Sequence, residues 1–109
     1  MLVRNYYGEL LNVFGVYWYD NKTCFWVFPK DTGGLMVFEL GKPGDRDRVT
    51  IADPNWSGNF LFDNRIPGIF HHAIVEEDLL LGLSEKDEKA YVKFLNIIKE
   101  EGLVDQEFY

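Results

Sequence analysis

Residues 11–28 read LNVFGVYWY, DNK and TCFWVF, and this stretch decides how the chain folds. Leu11 to Tyr19 and Thr23 to Phe28 are dense in β-branched and aromatic residues, the side chains that suit a pleated surface. Asp20-Asn21-Lys22 between them has turn chemistry. Two such runs joined by so short a polar break predict a β-hairpin. Both faces of the first run are apolar in places: Val13, Tyr17 and Tyr19 alternate with Phe14, Val16 and Trp18. That pattern suits a central strand covered on both sides, or a strand that keeps one aromatic face for a partner.

Working outward, Leu2 to Tyr7 reads as a first strand. Pro29 to Gly34 is a strong turn signal, and Leu35 to Leu40 resumes strand texture. Gly41 to Asp47 is a polar loop, followed by a short strand from Arg48 to Ala52. Asp53 to Gly58 is another loop, and Asn59 to Asp63 a short strand. Phe70 to Leu83 admits two readings, of which a strand from Ile69 to Val75 followed by a short helix is preferred to one continuous helix.

Ser84 to Glu101 predicts a helix. Ser84 is a good N-cap, and Asp87 stands three residues on in the manner of a capping box. Glu85, Asp87 and Glu88 lie at the positive end of the helix dipole. Ala90, Tyr91, Phe94, Leu95 and Ile98 recur at helical spacing, and Gly102 supplies the stop. Strands followed by a helix predict an α+β fold: an antiparallel sheet of about five or six strands with the C-terminal helix packed on one face. A chain of 109 residues is the ordinary size of one domain, so residues 1–109 are read as a single unit.

The formal charge is −7, and its placement is uneven. Residues 76–109 carry ten acids against four lysines, net −6, whereas residues 1–75 are net −1. A direct grip on nucleic acid or an anionic membrane is disfavoured, because neither phosphates nor acidic lipids would be neutralised. An acidic surface instead attracts basic partners. Arg4, Asn5, Glu9 and Asn12 interrupt the apolar N-terminal segment, which speaks against a signal-peptide core or a membrane span. Cys24 is the only cysteine, so no internal disulfide can form and a reducing cytoplasm is the expected compartment.

Few residues point to chemistry. His71-His72, followed by Glu76, Glu77 and Asp78, invites a metal site, but neighbouring side chains diverge on a strand or a helix, so a structural or surface role is expected and no metal or other cofactor is assigned. Either histidine beside Asp53 or Asp63 would make a general base for a small hydrolase-like enzyme. Cys24 lies within an apolar strand and reads as an inert hydrophobe. Neither a phosphate loop nor a dinucleotide fingerprint is present. Trp56, in the most distinctive loop, is either an outward anchor or a plug at the open end of the sheet.

These features favour a binding role over catalysis. The function expected is that of a small acidic protein that neutralises a basic protein partner, as immunity proteins (antitoxins) do for bacterial nuclease toxins. The expected partner-binding residues are Trp56, the run Tyr17-Trp18-Tyr19, and the acids Glu76, Glu77, Asp78, Asp105 and Glu107. The alternatives are the hydrolase and an accessory subunit of a larger assembly.

Overall fold

In the computed structural model every residue is described except Asp31, Pro43 and Ser57; these three fall in the three predicted loops and lie outside the described residues. Seven strands form in chain order: β1 (Leu2–Arg4), β2 (Leu10–Tyr19), β3 (Lys22–Val27), β4 (Met36–Leu40), β5 (Arg48–Asp53), β6 (Phe60–Asp63) and β7 (Gly68–His71). Three helices follow: α1 (His72–Glu76), α2 (Leu80–Ser84) and α3 (Glu88–Glu100). The α+β class is as expected, but the sheet is not a simple open antiparallel one. Its order is β1-β5-β4-β3-β2-β7-β6, and β1 also pairs with β2, so the first five strands close into a barrel. β4 and β5 run parallel through Glu39↔Arg48 and Leu40↔Val49, whereas the other pairings are antiparallel.

The hairpin forms where expected. Asp20 (φ 51°) and Asn21 (φ 60°) are both left-handed, as a two-residue turn of the I′ kind requires, and Asp and Asn tolerate that region better than other non-glycine residues. The strict alternation read along β2 fails at one point. The pairing slips between Val13 and Gly15, opposite Val27 and Trp26, so Phe14 is the extra residue of a β-bulge. The bulge resets the parity. Val13 and Val16 both enter the barrel interior with Val3, Leu11, Phe25, Val27 and Val49. Phe14 turns instead to the helical side, where Trp26, Phe28, Phe70, Ile74, Tyr91, Phe94 and Ile98 form a second core. β2 is thus a central strand covered on both sides.

The C-terminal helix is shorter than expected. Asp87, not Ser84, is its N-cap: the Asp87 carboxylate accepts from the Lys89 amide. Ser84 closes α2, and its hydroxyl donates to Leu81 O at 2.8 Å. Lys86 (φ 59°) separates the two helices. The end is as read. Gly102 is left-handed (φ 74°), and the Leu103 amide reaches back to Ile98 O at 3.0 Å, the long bond of a Schellman motif. The ambiguous segment is a short strand followed at once by α1; the strand ends at His71 rather than Val75. No helix is long and apolar enough to cross a membrane among the described residues.

Candidate functional site

The strand-to-helix junction at His71 overturns the expectation that the two histidines diverge. His71 keeps an extended backbone (φ −49°, ψ 139°) and serves as the N-cap of α1. His72 is the first helical residue, so the alternate-face rule of a strand and the 100° step of a helix both fail between them. The rings lie 4.4 Å apart at 34°. The carboxylate that joins them is neither Asp53 nor Asp63 but Glu101, the C-cap of α3.

Each proton in this cluster can be placed. The Ala73 amide donates to His71 Nδ1 at 3.1 Å. Nδ1 therefore carries the lone pair, and Nε2–H donates to Glu101 Oε1 at 2.7 Å. His72 faces carboxylates on both sides, Glu76 Oε1 at 2.8 Å from Nδ1 and Glu101 Oε2 at 2.5 Å from Nε2. Only an imidazolium can donate to both. Glu101 thus accepts from both rings, and all four ring nitrogens are engaged.

The proton affinities follow. Burial holds His71, which is fully inaccessible to solvent, below the ordinary histidine range against the pull of Glu101. The Glu101 hydrogen bond raises His72, opposed by burial and helped by Glu76. For Glu101, burial acts upward, but hydrogen bonds from His72 and His71 outweigh it and lower the carboxyl.

A pH profile follows with definite signs. The His72 contribution is complete below pH 6.5, its unfolded value, and is lost as pH rises through the raised folded value. The His71 contribution is complete above 6.5 and is lost as pH falls. That of Glu101 is complete above 4.5 and is lost below it. The contribution of this cluster to stability therefore peaks near pH 6.5. Urea midpoints measured from pH 4 to 9 check this: His72→Gln flattens the alkaline limb and, by removing one of the two hydrogen bonds that lower Glu101, also weakens the loss below pH 4.5.

A divalent cation is the cofactor these residues could be asked to hold, since one ligand atom from each of His71, His72 and Glu101 lies within 4.8 Å of the others. His71 does not fit the role. Ligation through Nε2 would move its proton to Nδ1, where it would meet the Ala73 N–H donor head on, whereas ligating histidines present an acceptor to that second N–H. The cluster is built to hold protons rather than a metal.

The expected binding residues do not form one surface. Trp56 is exposed (41%) and its ring lies tilted against Phe60 with centroids 4.5 Å apart; Phe60 in turn meets the His71 ring edge-on at 5.8 Å. Trp18 (50% exposed) and Tyr19 (72%) stand at the hairpin tip, and the Trp18 amide bonds Pro67 O. Phe60 pairs with His71 and Trp18 lies beside Pro67, so the two tryptophans sit toward opposite ends of β7. Tyr17 is half-buried against the helical core. The three consecutive acids are already paired: Glu76 with His72, Glu77 with Lys93 at 3.5 Å, and Asp78 with Arg65 at 2.5 Å. Asp105 accepts from the Glu107 amide, and neither carboxylate has a cationic partner among the described residues.

Three contributors were missed. Glu101 stands thirty residues from His71, and no local pattern links them. Arg65 clasps nearly buried Asp63 through Nε and Nη2, and this hydrogen bonding lowers the Asp63 carboxyl. Phe62 is 63% exposed, and the register Val16↔Ile69↔Phe62 sets it with Ile69 and Trp18 on the sheet face away from the helices. The run Phe60-Leu61-Phe62 carried the signal, since a strand apolar on both faces cannot hide both at a sheet edge.

No protein-family model, curated protein or solved structure matches this chain.

Proposed function

We propose that this protein is a small acidic binding protein that neutralises a basic protein partner in the cytoplasm, an immunity-type antitoxin for a bacterial nuclease toxin. The observation that carries the reading is the sheet face on which exposed Trp18 and Phe62 stand with part-buried Ile69, on a chain of charge −7. Exposed aromatic anchors dominate binding energy at interfaces, and an acidic field speeds encounter with a basic partner. The paired acids Glu76, Glu77 and Asp78 contribute to that field. Asp105 and Glu107 are more readily available for direct ion pairs.

The histidine cluster supports the same reading from the other side. A hydrolase needs an imidazole nitrogen beside substrate, and here all four are engaged. Gly58 also backs onto His71, where an added Cβ would stand 3.8 Å from Nε2. The test is capture of partners from native cell extract on the tagged protein. One basic protein retained at low salt and released as salt rises supports the proposal; a clean recovery of no partner overturns it.

A further inference from the structure

Arg4 on β1, Lys42 in the loop after β4 and Arg48 at the start of β5 line one cavity of about 190 Å³ on the barrel, remote in sequence from the acidic last third. Three of the eleven basic residues of an acidic protein converge there. Arg4 Nη1 donates to Gly8 O at 3.3 Å. Neither Arg4 nor Lys42 has a carboxylate within ion-pair distance among the described residues, and Arg48 has only Glu39 at 3.6 Å. Among the described residues Asp45 is the one acid on the lining, and its carboxylate lies 3.4 Å from the Lys42 amide. Tyr6 and Thr50 also line it.

We infer that this cavity binds a small oxyanion of the phosphate class. Its volume equals roughly six water molecules and falls below the range of about 300–1,000 Å³ for drug-sized ligands. Like charges held together repel, and an anion between them removes that cost. Arginine forks match the oxygens of phosphate, and the lysine adds a point charge. An extended polyanion fits poorly, because the adjoining cavity sets Glu9 and Asp47 against Lys30 and Arg46 and so offers no continued positive track, and the whole chain is acidic.

The test is titration calorimetry of the full chain with inorganic phosphate at constant ionic strength, beside a sodium chloride blank. Saturable one-to-one binding, weakened at least tenfold in Arg4→Gln/Lys42→Gln, is the expected result. Lys42→Gln alone, on an exposed loop, gives a measurable weakening should the double variant not fold. Heat that does not saturate, or affinity unchanged in either variant, overturns the inference. So does a short single-stranded oligonucleotide that binds more tightly than phosphate, since the site would then serve an extended chain.

Discussion

Glu101→Ala is expected to lower the unfolding free energy by about 3 kcal/mol, on the order of 15 °C in Tm for a chain of this size. Among the described residues the carboxylate is the sole side-chain partner of the His71 Nε2–H, and His71 is fully buried. Removing it leaves a buried donor unsatisfied, at a cost of about 1–3 kcal/mol. It also takes away one of the two acceptors of the His72 imidazolium and frees the end of α3 from the β7–α1 junction. Glu101→Gln keeps an oxygen for one ring but turns an amide N–H toward the other, so its loss is smaller. Thermal unfolding ranks the two variants. NMR titration adds a readout that repacking alone does not move: His72 falls toward the ordinary histidine range in Glu101→Ala.

Gly68→Ala is expected to be at least as damaging. An added Cβ would stand 2.4 Å from Val16 O and 2.8 Å from Tyr17 Cβ. The first is backbone of the central strand, which cannot step aside without breaking the β2–β7 ladder, where Tyr17 pairs with Gly68. Overpacking of a core costs about 1–3 kcal/mol even where side chains can yield, and here the obstacle is main chain. Denaturant unfolding of the purified variant, or its failure to accumulate as folded protein, measures the effect. Gly34→Ala is the control. Among the described residues no neighbouring atom lies within 4 Å of its added methyl group and its φ is unremarkable, so stability stays near that of the parent.

Much of the secondary structure was legible from period and turn chemistry. β2, β3, β4, β5 and β6 fall within a residue or so of their expected bounds, and Asp20-Asn21 makes the hairpin turn that its composition announces. What escaped has a common cause in contacts distant along the chain. Barrel closure depends on β1 meeting β5, where Val3 pairs with Ile51. Nothing in residues 2–7 marks that partner. The helical layer broke into three pieces because Asp78 and Lys86 take left-handed backbone, which glycine or asparagine would have advertised. Asp78 is held there beside Arg65. At the candidate site, Trp56, Trp18 and Tyr19 are exposed, whereas the acids Glu76, Glu77 and Asp78 are engaged by cations that sequence spacing alone did not pair with them. The histidines were misread for one reason: a rule for residues inside an element was applied across the joint between two.

The central claim is that the face carrying Trp18 and Phe62 holds a basic protein. Capture from native cell extract on the parent protein and on Trp18→Ala/Phe62→Ala, both side chains being half-exposed or more, tests it most directly. The expected result is one basic protein retained by the parent at low salt and lost from the variant, with thermal stability unchanged within about 1 kcal/mol. Equal retention by parent and variant, or no partner on either, would contradict the account.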